Sequence, residues 1–220
     1  MKNYKIFSGS SHPEFAQAIC KELGVELGKT TIKNFSCGEK YIKYEESFRG
    51  QDVFLVQTGS TTHMNDDLIE LFLMIDAAKQ SFARKIHVVM PYFPYSRQDK
   101  IHDAREGISA KLMADLIVKA GADHVISLHL HSDQAQGFFD VPMDNLNPRK
   151  IFIDYFKKKN LSDTVVVAPE MLEEQKNGQE VLPTNWGFPA CYSCISTVQD
   201  IINLRCLMLL ETLKGRPQLL

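Results

Sequence analysis

The sequence predicts an α/β protein in which a parallel sheet is covered by helices on both faces. Three observations predict it. Short β-rich runs alternate with segments of helical period from the first residues to about Ala168, the pattern that parallel βαβ units produce. Runs such as "DVFLVQ" and "KIHVVM" are apolar at four of six positions without strict alternation, as suits strands buried on both sides. Polar clusters follow three of these runs directly, where open parallel sheets gather their ligands.

"YKIFSG" reads as the first strand. Ser11 and Pro13 then open an amphipathic helix from about Glu14 to Leu23, because the missing N–H of proline is no loss in a first turn. "TTIKNF" and "KYIKYEES" read as strands of a hairpin-like excursion turning at Cys37-Gly38, and "DVFLVQTGS" as a buried strand ending in a Gly/Ser/Thr loop. From Asn65 to about Ser81, Leu68, Leu71, Phe72, Ile75 and Ala78 form a helical stripe, with Asn65 and Asp66 suited to its N-terminus. "KIHVVMPYFPY" is the next core strand, stopped by prolines. A charged loop, "SRQDKIHDAREG", leads to the helix "ISAKLMADLIVKAG", which ends at Gly121. "DHVISLHLH" is a further strand, "KIFIDYFKKKN" a helix and "DTVVVAP" a last strand.

Composition narrows the function classes. With 220 residues, 44% hydrophobic and 24% charged, the chain suits a soluble globular protein of one large or two modest domains. A net charge of −2 argues against a general nucleic-acid or membrane surface. No apolar run reaches transmembrane length, and "MKNYKIFSGSSHPEF" lacks a signal-peptide core. The five cysteines (Cys20, Cys37, Cys191, Cys194, Cys206) are odd in number without an export signal, which points to a reducing, cytoplasmic setting. Cys191 and Cys194 form a CxxC with no second ligand pair, so zinc is not expected there.

The strand-end clusters are Thr58–Thr62, Tyr95–Arg105 and His129–Asp133. Strand alternation would turn His129 and His131 to one side, with Asp140 and Asp144 returning from the following loop. Such a set can hold a hard cation such as Mg²⁺ together with waters and substrate phosphates; packed histidines and turn-capping aspartates are the plainer reading. Arg97, Lys100 and Arg105, interspersed with Asp99 and Asp103, suit polyphosphate through the planar guanidinium fork, or else form a mixed-charge exposed loop. Phe35, Gly38 and Glu39 could stack on a base and hydrogen-bond it. The Thr58–Thr62 loop has no P-loop lysine, so a Walker-type site is unsupported.

"FSCGEKYIKYEESFRG", "MPYFPYSRQDK", "ISAKLMADLIVKAGADHVISLHLH" and "QGFFDVPMDNL" together resemble the ribose-phosphate diphosphokinase (phosphoribosyl pyrophosphate synthetase) family, collinearly from about Lys5 to Pro169. The resemblance implies two phosphoribosyltransferase-type α/β halves, of which this chain supplies the first. It implies transfer of the β,γ-diphosphate of Mg-ATP to ribose 5-phosphate, giving phosphoribosyl pyrophosphate and AMP, with Mg²⁺ as cofactor and oligomers built from dimers. It places Phe35, Cys37, Gly38 and Glu39 at the adenine, reached across a subunit interface, Arg97, Gln98, Asp99 and Lys100 along the ATP phosphates, and His131 at the phosphates and metal. His129, Asp140 and Asp144 fall at metal positions, and Ser47 and Arg49 in a region for regulatory phosphate. His129 and Cys37 stand where the family has, respectively, aspartate and commonly aspartate or asparagine.

The implied domains are 1–148, an N-terminal phosphoribosyltransferase-like domain; 149–169, the start of a second; and 170–220, an atypical tail. The tail lacks the Lys-Arg-Arg-type loop, the Asp-Asp strand and the Thr-Ala-Gly-Thr loop that the family would supply. With permitted synonymous codons, a displaced frame beginning at the last base of Glu170 can be read as Asp-Ala-Gly-Gly-Ala-Lys, then as Arg-Pro-Gly-His-Asn from Thr197–Ile202 and Gly-Asp-Val-Glu-Gly from Leu210–Gly215, in family order. The other reading is a divergent extension. Two functions follow. The first is a diphosphokinase sequence that does not turn over as this chain alone. The second is a non-catalytic subunit associating with full-length synthetase.

Overall fold

The computed structural model describes residues 3–59 and 62–158. In chain order the elements are β1 (Tyr4–Ser8), α1 (Pro13–Leu23), β2 (Thr30–Asn34), β3 (Lys40–Tyr44), β4 (Asp52–Val56), α2 (Met64–Gln80), β5 (Lys85–Met90), α3 (Ser109–Ala120), β6 (His124–Leu128), β7 (Met143–Leu146) and α4 (Arg149–Lys157). A 3₁₀ turn spans Asp133–Phe138. The chain divides after Pro148; α4 is a separate amphipathic helix with a basic last turn.

Five strands form one parallel sheet in the order β1-β4-β5-β6-β7. β2 and β3 pair antiparallel as the expected hairpin. Successive residues along each strand serve opposite layers, as the pleat requires. Tyr4, Ile6, Phe54 and Val56 meet Phe15, Ala16, Ile19 and Cys20 of α1. Phe7, Val53, Leu55 and Val88 meet Leu68, Leu71, Met74, Ile75 and Ala78 of α2 and Ala110, Ala114 and Ile117 of α3. Each fully buried Leu or Ile of these stripes contributes about 1.5–3 kcal/mol, so the stripes fix which face each helix turns inward.

The helix ends follow the sequence. Pro13 stands in the first turn of α1, and Gly24 closes it at φ 61, its N–H donating to the Cys20 and Lys21 carbonyls. Asp66 and Asp67 occupy the first turn of α2, where the helix dipole favours negative charge.

Two features depart from expectation. The segment after His131 is not simply a loop: it contains the 3₁₀ turn and then β7, so Asp144 lies in a strand. β6 also ends at Leu128, and His129 takes a left-handed φ of 51. Strand alternation therefore does not extend across His129 and His131. "DTVVVAP" and the 170–220 tail lie outside the described residues.

The α1-facing side of the sheet holds a polar row unforeseen in the sequence. Phe54 stacks on His87 with ring centres 4.4 Å apart and planes at 12°. His87 Nδ1 lies 3.1 Å from His124 Nδ1, and His124 Nε2 lies 3.2 Å from Asp144 Oδ2. A neutral chain satisfies these contacts when His124 donates from Nε2 to Asp144 and accepts at Nδ1 from His87. Burial, then the neighbouring His124, lowers the His87 pKa to about 4.

Candidate functional site

Because β1, β4, β5 and β6 are neighbours and parallel, the loops that follow them leave the sheet at one end. Hydrogen bonds stitch those loops together. Tyr92 N–H donates to Thr58 Oγ1 at 3.0 Å, Leu128 N–H to the Pro91 carbonyl at 3.1 Å, and Thr58 N–H to Ser11 Oγ at 3.0 Å. The loop after β1 thus joins the three clusters that the sequence singles out.

The Arg97 loop is bounded by Tyr95 and Arg105, non-glycine residues at φ 60 and 74. Side chains rarely take that region, and such residues collect where a loop has a task. The Tyr95 hydroxyl donates to Asn65 Oδ1 at 2.5 Å. The Gln98 carbonyl accepts the Ala110 N–H at 3.1 Å, and its side chain meets the Ser109 hydroxyl, joining the loop to the start of α3. Arg97 and Lys100 are exposed. Asp99 stands near the next loop: Ser132 first, then His131 and Lys100, lower its carboxyl below the usual range.

The Arg97 loop and the His131 turn follow the adjacent strands β5 and β6, and the Leu128 N–H bond to the Pro91 carbonyl joins their bases. The turn is itself fastened to β7. His129 N–H donates to the Leu146 carbonyl at 3.0 Å, Leu130 N–H to Asn145 Oδ1 at 3.0 Å, and Asn145 Nδ2 to Asp133 Oδ1 at 2.9 Å. His129, His131 and Asp140 are exposed around a buried Leu130. Asp140 also acts on Lys111, whose ammonium is raised chiefly by Asp115.

At the hairpin tip Gly38 takes φ 93; Phe35 N–H donates to the Glu39 carbonyl at 2.8 Å and Gly38 N–H to the Phe35 carbonyl at 2.9 Å. The Phe35 ring is 53% exposed and stands edge-on to Tyr41 at 6.2 Å. Cys37 and Glu39 are exposed beside it, leaving an open aromatic face and an acid for a planar ligand. Ser47 and Arg49 precede β4 and so lie at the opposite, amino end of the sheet, with the Arg49 guanidinium 4.0 Å over the exposed Phe82 ring.

Residues 4–121 match the family described as the N-terminal domain of ribose phosphate pyrophosphokinase. The chain belongs to the ribose-phosphate pyrophosphokinase family. It is 48% identical over 170 residues to the ribose-phosphate pyrophosphokinase of Corynebacterium efficiens, covering 77% of this chain and 52% of that one. It is 50% identical over 166 residues to that of Oceanobacillus iheyensis, covering 76% and 52%. Among solved structures, phosphoribosylpyrophosphate synthetase from Mycobacterium smegmatis superposes with a TM-score of 0.73 at 43% identity, covering 77% of this chain and 57% of that one. The chain spans about half the length of the curated relatives it matches.

The Arg97 loop and the His131 turn stand side by side after adjacent strands, while the four residues expected at a metal are not a preformed cage. Asp144 belongs to β7 and meets His124, and His129 has left the strand geometry that would align it with His131. Among the described residues no three His, Cys, Asp or Glu side chains form a group that could hold a metal. The exposed Asp140 carboxylate and His131 imidazole instead fit a Mg²⁺ held chiefly by waters and a polyphosphate. Sequence reasoning missed Ser10, Ser11, Gln57, Glu70, Ser132 and Asn145. Gln57, directly after a strand, and the Gly-Ser-Ser after β1 were the available signals; Glu70 and Asn145 act through partners distant in sequence.

Proposed function

We propose that residues 1–148 form the ATP-binding half of a ribose-phosphate diphosphokinase, which moves diphosphate from Mg-ATP to ribose 5-phosphate. The observation that supports it best is that exposed Arg97 and Lys100 and exposed His131 stand on the loops that follow the adjacent parallel strands β5 and β6, joined at their bases by the Leu128 N–H bond to the Pro91 carbonyl at 3.1 Å. Diphosphate transfer asks chiefly for alignment and charge neutralisation of a polyphosphate. Arg97 and Lys100 supply cationic donors, the first bidentate and the second a point charge. Gln98 holds the loop against the start of α3, and Asp99 stands beside the neighbouring turn. His131 is placed to donate to the transferred phosphates, and Phe35, Cys37, Gly38 and Glu39 to receive the adenine. Asp140, with His131, would hold Mg²⁺, whose chemistry when bound is to neutralise phosphate charge. His129 and Asp144 belong to the turn and its support. Ser47 and Arg49, at the far end of the sheet, would take a regulatory phosphate.

The chain assembles in the cytoplasm as an oligomer, of itself or with a full-length synthetase, and the full reaction needs the full-length subunit. Among the described residues no helix is long and apolar enough to cross a membrane. A non-catalytic subunit is the second reading, which His129 and Cys37 at positions where the family carries acidic or amide side chains would suit; co-purification with a complete synthetase tests it.

Calorimetry of ATP binding, with and without Mg²⁺, tests the principal reading. Arg97→Ala and His131→Ala are each expected to weaken Mg-ATP by tenfold or more, since a charge-assisted contact contributes about 1.5–3 kcal/mol. Unchanged affinity in both variants would remove the proposed site.

A further inference from the structure

We propose that Glu70 and Lys40 are positioning residues: their buried ion pair sets where the Phe35–Glu39 tip stands relative to the strand-end loops. The inference rests on the nucleotide reading above and adds to it the means by which the base-binding tip is placed.

Glu70, on α2, is fully buried, and Lys40 Nζ reaches its Oε2 at 2.6 Å with the lysine side chain only 11% exposed. The same carboxylate accepts the Ser10 N–H at 2.6 Å, the Ser10 hydroxyl at 2.7 Å and Gln57 Nε2 at 3.0 Å. Gln57 Oε1 in turn accepts the Ser11 hydroxyl at 2.7 Å, and Ser11 Oγ accepts the Thr58 N–H. The approach is so close that a Cβ on Gly9 would stand 2.1 Å from Gln57 Oε1 and 2.9 Å from Glu70 Oε1. One carboxylate therefore joins the loops after β1 and β4 to the hairpin.

The hairpin contact falls at the tip. Lys40 is the first residue of β3 and follows Glu39 directly, whereas the Tyr44 hydroxyl, bonded to the Met74 carbonyl at 2.8 Å, fastens the far end. β2 and β3 bury no residue fully, and a two-stranded ribbon is marginal by itself. Its tip must be held from outside. A buried charge pair suits that task because its geometry is exacting, and a Glu70 carboxylate without its lysine would be a buried unpaired charge. The sequence gives no hint of it, since the partners are thirty positions apart.

Hydrogen exchange on the 220-residue chain tests the anchor. In Lys40→Met, the amides of Phe35 and Gly38 are expected to exchange about tenfold faster or more, while those of Gln57 and Leu128 keep their protection. ATP affinity, measured in parallel, falls by a similar factor, and Lys40→Arg restores both. If Lys40→Met does not fold, the neutral pair Lys40→Met/Glu70→Gln gives the same reading without an orphaned charge. Unchanged tip exchange in whichever of the two folds overturns the anchor, and a loosened tip with unaltered ATP affinity overturns its positioning role. A wild-type chain that binds no ATP sinks the nucleotide reading instead, and tip exchange then decides the anchor alone.

Discussion

His87 shows how one side chain can make the whole fold respond to pH. Its imidazole lies between the Phe54 ring and His124, within reach of Asp52, Asp123 and Lys85, and burial is the main reason that its pKa falls to about 4. An unfolded histidine titrates near 6.5. Between those values the unfolded chain binds a proton that the folded chain refuses. Stability is therefore full above the unfolded value and declines as pH falls towards 4, by up to about 1.4 kcal/mol per pH unit. His87→Gln keeps an N–H donor for His124 and removes the titration. Urea unfolding between pH 6.5 and 4 should show a midpoint that drops steeply in the wild type and more gently in the variant; parallel curves would contradict the assignment.

At the scale of elements, what could be read in the sequence depended on how local the determining pattern is. α1, α2 and α3 declared themselves because stripes such as Leu68, Leu71 and Ile75 repeat within one helix. The hairpin did so because Gly38 marks its turn. β7 did not: "MDNL" is four residues long, half polar and preceded by Pro142, and its strand character comes from pairing with β6. The site divides in the same way. Arg97–Lys100 is a contiguous signal of phosphate chemistry, but the left-handed His129 and the fastening of its turn by Asn145 arise only once β6 and β7 are side by side. Asn145→Leu tests that fastening. It leaves the Leu130 N–H without its acceptor and Asp133 without its donor, so a loss of about 1–3 kcal/mol is expected. Thermal unfolding should show it, and Mg-ATP affinity should fall with it because His131 is carried on the same turn. A stable variant with normal affinity would mean that the turn is set by its own residues.

At the scale of the molecule, the parallel order of the sheet gathers one kind of chemistry at one end. The loops after β4, β5 and β6 lie together because their strands are neighbours, and the hairpin is tied to the same end through Lys40 and Glu70. Under the proposed function these supply donors and stacking surfaces for a nucleotide triphosphate. The acceptor pentose needs another set of groups, and the 220-residue sequence contains no Thr-Ala-Gly-Thr loop to cradle its phosphate. Binding and turnover should therefore separate. The chain should take up Mg-ATP yet form no AMP when ribose 5-phosphate is added, because aligning the two reactants supplies much of the rate in such transfers, up to about 7–11 kcal/mol. Chromatographic measurement of AMP, with protein freed of host enzyme, checks it. Sustained AMP formation that depends on ribose 5-phosphate would mean that the acceptor is held by residues of this chain, and the division of labour between strand-end loops and pentose loop would have to be redrawn.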